Sequence, residues 1–254
     1  MPCPMRIGPL SGVAAQFLGW RASFLVLALL ALVVGGLLAR RLGAAMLEGA
    51  TGQARGFGLG QYLRLFRAPA GRRLMAAAAI DGAALFGGAF PFTGAYLIEH
   101  FALSPGEAGM VVAGFGLGAF IYTRLAKRLV ALLGEQGLIA AGGAGLALTL
   151  AGVAAAPDWW IVAALQVPMG MAFYMFHGVL QARATEALPE SRATAVSAFA
   201  MALFLGNHVA EAVAARGGAV LHAAGYGAVF AGAAAVTAAL ATWVALTPAR
   251  QDIT

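Results

Sequence analysis

Apolar positions gather into seven long runs parted by short polar breaks: Ala22 to Ala39, Met75 to Ile98, Pro105 to Thr123, Gly134 to Ala156, Trp159 to Ala182, Ala193 to Arg216 and Gly225 to Thr247. Each run holds 18 to 24 residues. At about 1.5 Å of helical rise per residue, each can cross roughly 30 Å of hydrocarbon. The pattern predicts an all-α polytopic membrane protein, a helical bundle with about seven full transmembrane helices. Charge separates the breaks into two kinds. Arg40, Arg41, Arg55, Arg64, Arg67, Arg72 and Arg73 follow the first run, Arg124, Lys127 and Arg128 the third, Arg183 and Arg192 the fifth, and Arg250 the seventh. Of the 16 Lys and Arg residues, only Arg6, Arg21 and Arg216 fall elsewhere. Cytoplasmic loops carry the excess of basic residues, so these breaks and the C-terminal tail are expected inside the cell.

One break is long enough to hold structure of its own. Between Arg40 and Arg73, the residues Leu59, Tyr62, Leu63 and Phe66 recur at i, i+3, i+4 and i+7, with Arg64 and Arg67 beside them. This spacing predicts a short amphipathic helix at the inner interface, where arginines meet anionic headgroups. The alternative is an ordinary linker with a helical turn. Elsewhere the breaks read as helix starts. Ser104-Pro105-Gly106-Glu107 has the form of a capping box with proline at the first helical position. Asp158 and Ser191 are weaker caps for the fifth and sixth spans, and Trp159 and Trp160 suit an interfacial aromatic belt. Glycines inside spans, such as Gly114, Gly116 and Gly118 or Gly142, Gly143, Gly145 and Gly152, predict close helix packing.

Composition narrows the function classes. Of the 254 residues, 61% are hydrophobic and 10% charged, and the mean hydropathy is +0.85, which leaves too little polar surface for a soluble enzyme. The net charge of +6 is scattered among membrane-edge breaks, so no nucleic-acid partner is expected. Cys3 is the single cysteine, so neither an intrachain disulfide nor a cysteine metal cluster can form. No phosphate-binding glycine loop or nucleophile elbow occurs, no cofactor is expected, and the chain does not read as an enzyme.

Several motifs share one order with a known family. Gly8-Pro9 with Gly12, followed by Gly19-Trp20-Arg21-Ala22-Ser23-Phe24, resembles the fifth-helix motif and sixth-helix start of major facilitator superfamily exporters. Ala119 and Thr123-Arg124-Leu125-Ala126-Lys127-Arg128 are similar to the family's cytoplasmic loop between helices eight and nine, with Thr123 where Asp is usual and Ala119 and Ala126 replacing glycines. His177 to Glu186, with Pro189 to Ala195, is similar to the junction of helices ten and eleven. The resemblance implies that the seven runs are helices six to twelve of a twelve-helix fold made of two six-helix halves. On this register residues 1–19 are the remnant of a transmembrane helix, 20–42 a single span, 43–73 a cytoplasmic linker, 74–248 a six-helix half-domain and 249–254 a cytoplasmic tail. It also implies a bacterial inner-membrane location and secondary active transport, namely proton-coupled efflux of a small organic solute. A missing N-terminal half would then be a partner, beside the lipid bilayer, the solute and protons. A half-size permease acting as a dimer or with a separate half is the alternative.

Ionisable residues in a span are costly and mark candidate sites. Asp81 lies six residues into the second run and His177 five from the end of the fifth, each about 9 Å or less from the same membrane face. The resemblance places both beside the central cavity, where they would share or relay a proton. Equally open is that Asp81 pairs with Arg72, Arg73 or Lys127 while His177 bonds a backbone carbonyl. Asn207, His208 and Glu211 form a second polar group in the sixth run, with His208 and Glu211 at i, i+3. This group reads as a proton-sensitive pair, a local hydrogen bond, or the metal ligands of an intramembrane enzyme. The last lacks the second histidine of a His-Glu-x-x-His motif. Phe92, Tyr96, Gln166, Tyr174 and Gln181 are candidate substrate-lining residues, and the resemblance implies that Arg124, Lys127 and Arg128 form a cytoplasmic gating loop. Pro91 and Pro168 are expected to kink the second and fifth spans.

Overall fold

The computed structural model describes residues 20–53, 59–216 and 218–247. The predicted N-terminal stump, Arg55, Arg250 and the tail lie outside them. The described chain is α-helical, in seven elements: α1 (Trp20–Gln53), α2 (Leu59–Arg67), α3 (Pro69–Glu99), α4 (Pro105–Ala154), α5 (Trp159–Ala187), α6 (Arg192–Arg216) and α7 (Gly218–Leu246). All but α2 contain a stretch long and apolar enough to cross a membrane. Every one of the seven predicted runs lies on these helices. The chain is an all-α polytopic membrane protein.

The third and fourth runs share α4, whose 50 residues are interrupted at Gly134 (φ 63°, ψ −177°). A straight helix of that length would be about 75 Å long. Instead α4 doubles back, as its neighbours on α5 show. Along residues 105–133, Gly114 approaches Gln166, Gly118 approaches Val167 and Tyr122 approaches Gly178, so this arm runs parallel to α5. Along residues 135–154 the order reverses, with Gly142 against Phe176 and Gly152 against Leu165. That backbone conformation is essentially restricted to glycine.

Neighbours on the other helices follow the same alternation of direction. Asp81 meets His177 and Phe86 meets Phe173, so α3 is antiparallel to α5. Gly143 abuts Ala241 and Gly227 faces Ala154, so α7 is antiparallel to the second arm of α4. One end of the bundle therefore collects residues 61–73, 124–135 and 183–197, and with them Arg64, Arg67, Arg72, Arg73, Arg124, Lys127, Arg128, Arg183 and Arg192. The opposite end collects Glu99, Ser104, Ala156 and Tyr226. There the Ser104 capping box is complete: Glu107 N–H donates to Ser104 Oγ at 3.3 Å, and Ser104 N–H to Glu107 Oε2 at 2.8 Å. Asp158 precedes α5 without a side-chain cap bond, and Trp159 and Trp160 are exposed as belt residues should be.

Glycine sets the closest approach in the bundle, between α3 and α6. A Cβ at Gly206 would stand 1.8 Å from the Ala79 carbonyl oxygen, and one at Gly82 would stand 2.1 Å from that of Leu203. Backbones in such contact gain dispersion and carbonyl contacts that lipid tails cannot displace. Between Gly82 and Ala89, α3 is a π-helix, an eight-residue segment beginning directly after Asp81 and ending just before Phe90-Pro91. Proline removes an amide that a regular helix would use, and the wider turn absorbs the mismatch. Pro168 is carried within an unbroken α5, its ring exposed.

One predicted feature differs in placement. Arg124, Lys127 and Arg128 are not in a loop. They lie exposed on the first arm of α4, which continues as helix up to Gly134. Leu, Ala and Lys around them are strong helix formers, and nothing breaks the helix before the glycine. The Arg124 guanidinium sits 4.7 Å above the ring of Phe120, one turn back. The amphipathic helix α2 is present, with Leu63 and Phe66 of the expected stripe exposed, while Leu65, outside that stripe, is fully buried. Tyr62 contacts Ser197 at 3.3 Å, and the Thr194 hydroxyl donates to Gln61 Oε1 at 3.0 Å, which seats α2 on α6.

Candidate functional site

His177 and Asp81 meet. His177 Nδ1 lies 2.6 Å from Asp81 Oδ2, within one hydrogen bond, in the membrane-spanning part of the bundle. The two residues are 96 apart in sequence. Antiparallel α3 and α5 bring them together because each lies a similar distance from the basic end. Asp81 is 2% exposed and the His177 side chain 12%. None of Arg72, Arg73 and Lys127, the alternative partners, takes this place. Arg72 Nη1 instead donates to the carbonyls of Arg67 (2.7 Å) and Phe66 (3.4 Å), and so terminates α2.

Aromatic rings enclose the imidazole. Phe173, one turn before it on α5, stacks at 4.8 Å with 16° between planes, and Phe199 of α6 approaches at 5.6 Å. Phe173 and Phe199 are both buried. In this largely buried setting the carboxylate and imidazole are each the other's hydrogen-bond partner. From Phe173 the rings continue to Phe86 (5.2 Å), Phe115 (5.8 Å) and Tyr174 (5.2 Å), and from Phe115 to Phe90 (4.9 Å). An aromatic wall thus leads from the middle of the span to the acid–base pair.

The five candidate lining residues do not form one pocket. Tyr96 is buried at the end opposite the basic one, packed among His100, Phe101, Tyr226 and Phe230, and its hydroxyl donates to the Ala156 carbonyl at 3.4 Å. Gln181 is exposed near the basic end, some 22 Å of helical rise from Gln166. Phe92 and Tyr174 are half-buried. Only Tyr174 belongs to the ring wall above. Gln166 is wholly buried beside Gly114, and neither its Oε1 nor its Nε2 has a hydrogen-bond partner. An unsatisfied buried amide is expensive, by about 1–3 kcal/mol for each group.

His208 and Glu211 form a separate pair, whereas Asn207 is half-buried against Gly87 of α3, its Oδ1 buried without a hydrogen-bond partner. His208 Nδ1 is 3.2 Å from Glu211 Oε2, and the side chains are 71% and 47% exposed. Around them on α6, Met201, Phe204, Leu205, Val209 and Val213 are also exposed. An acid–base pair in an apolar, outward-facing stripe of a membrane helix is unsuited to contact with lipid tails. Residues 24–41 of α1 are likewise exposed throughout, but wholly apolar up to Arg40. Among the described residues no group of three or more His, Cys, Asp and Glu side chains converges.

Two contacts were not foreseen from sequence. At the basic end Arg183 Nε donates to Glu135 Oε1, joining the end of α5 to the α4 turn. At the other end the Tyr226 hydroxyl donates to Glu99 Oε2 at 2.6 Å, joining α7 to α3. Pairs between breaks leave no spacing pattern. The lone acids Glu99 and Glu135 at the span edges were the available signal.

No known family model, curated protein or solved structure matches the chain. The class that the fold defines is that of multi-pass integral membrane proteins.

Proposed function

We propose that this chain is one wall of a secondary transporter for a small organic solute, with Asp81 and His177 as its proton-carrying pair. The buried 2.6 Å contact between them carries this reading. A structural ion pair would serve as well near the surface. Holding a carboxylate and an imidazole together inside a span is costly, and such residues mark proton paths by default. The adjoining aromatic wall suits a moderately apolar solute, and the unpartnered Gln166 amide offers it one donor and one acceptor. The order of motifs resembling major facilitator exporters supports the same class and adds efflux as the direction, a bacterial inner membrane as the location and a cytoplasmic C-terminus. Under this reading the exposed His208–Glu211 face of α6 meets a second helical half across the transport path. The separate half and a second copy of this chain are the two candidates for that half.

His208→Cys, in a Cys3→Ser background, should cross-link to one of these two. The assembled form, in liposomes with an internal pH dye, should move protons when aromatic organic solutes are added, and Asp81→Asn should abolish that movement. Solute-driven proton flux by the monomer would refute the two-wall reading. Flux by the assembly that is equal in Asp81→Asn would refute the role of the pair.

A further inference from the structure

The elbow between α2 and α3 offers a different kind of site. No acidic residue lies between Glu48 and Asp81, while Arg64, Arg67, Arg72 and Arg73 fall within ten positions of one another. All four side chains are exposed. Arg72 is committed to the last carbonyls of α2, where its charge opposes the negative end of the helix dipole. Arg67 closes α2, and Arg73 lies in the second turn of α3 beyond the bend at Ala68. The apolar run of α3 begins at Met75, so Arg73 stands about 3 Å outside the hydrocarbon edge. The polar headgroup layer is roughly 5–7 Å deep on each side. Arg73 is therefore held at phosphate level, and Arg67, whose carbonyl accepts from Arg72, lies just across the bend. Beside them Leu63 and Phe66 are 45% and 47% exposed, while Leu65 and the Gln61 and Tyr62 contacts pin the helix to the bundle.

We infer that this elbow binds the headgroup of an anionic phospholipid, with Arg67 and Arg73 on the phosphate and Leu63 and Phe66 against the upper acyl chains. A zwitterionic lipid brings its own cation to the same place and loses the advantage. A soluble anion lacks the chains that the two apolar side chains would meet. This site stands apart from Asp81 and His177 and does not depend on the transport reading.

The test reconstitutes the full chain in bilayers containing trace spin-labelled phosphatidylglycerol or phosphatidylcholine, and measures the motionally restricted fraction of each by electron paramagnetic resonance. At about 20 mM salt phosphatidylglycerol should be preferred by about fivefold or more, the effect expected of one or two interfacial arginines. Near 0.5 M salt the preference should fall towards parity. Arg67→Gln with Arg73→Gln should remove most of it while leaving the phosphatidylcholine fraction unchanged, and the double lysine variant should retain it. Arg124→Gln with Arg128→Gln, at the same end of the bundle, should leave it intact. The inference is overturned if the double glutamine variant keeps the preference or if the Arg124 and Arg128 variant loses as much. It is also overturned if inorganic phosphate abolishes the preference where chloride of equal ionic strength does not. Should the glutamine variant fail to fold, the salt and phosphate arms on the unaltered chain decide the matter: a salt-independent preference, or none, overturns it.

Discussion

Replacing His177 by alanine isolates the buried pair. In the ionised form of the pair, at 2.6 Å and an effective dielectric near 20, opposite unit charges attract by about 6 kcal/mol. Desolvation of each ion costs several kcal/mol, so the intact pair stands near balance. Removing one member upsets that balance, because Asp81, 2% exposed, keeps its desolvation cost and loses its partner. His177→Ala should destabilise the chain by about 3–5 kcal/mol, with about 1 kcal/mol more for the lost stack on Phe173. Asp81→Ala should cost less, about 1–3 kcal/mol, since a neutral imidazole is left lacking only its hydrogen-bond partner. The double variant should cost much less than the sum, giving a coupling of about 2–3 kcal/mol. Reversible unfolding in mixed detergent micelles, followed by tryptophan fluorescence, measures all four corners of the cycle. Additivity within about 0.5 kcal/mol would refute the reasoning, since uncoupled sites behave that way.

Glycine positions give further contrasts in the same assay. Gly206→Ala puts a methyl group 1.8 Å from the Ala79 carbonyl oxygen and should cost about 1–3 kcal/mol, since backbone on both sides cannot yield cheaply. Gly116→Ala, with nothing within 4 Å, should instead stabilise by about 0.5–1 kcal/mol; equal effects at the two sites would contradict the α3–α6 packing. Gly134→Ala forces a side chain into φ 63°, ψ −177° and should cost about 1–3 kcal/mol, a neutral result contradicting the hairpin.

How much of this was legible in the sequence depended on the kind of signal. Apolar runs are long enough to survive any local exception, so the seven runs were readable as helices, and the alternation of direction holds for α3, both arms of α4, α5 and α7. The Ser104 cap is local and was readable for that reason. Asp81 and His177 could be paired because each is a costly residue at nearly one depth, and two antiparallel spans bring equal depths together. Depth also explains why the lining residues were misjudged as a group: Tyr96 and Gln181 share residue type with Gln166 and Tyr174, but not level. Charge content predicted a loop at Arg124, Lys127 and Arg128, whereas helix propensity sustained the helix up to Gly134. On α2 the spacing named the interfacial stripe of Leu63 and Phe66 but gave no sign of Leu65, whose burial comes from packing on the bundle. The π-helical segment from Gly82 to Ala89 arises from packing and Pro91 together and has no spacing signature.

The central claim is that the pair of Asp81 and His177 carries a proton within the membrane. Infrared difference spectroscopy of the reconstituted chain, on stepping the pH, measures this without a known solute. The account predicts a protonated-carboxyl carbonyl band that rises as pH falls, shifts in His177→Ala and is absent in Asp81→Asn. A band set that Asp81→Asn leaves unchanged would contradict it.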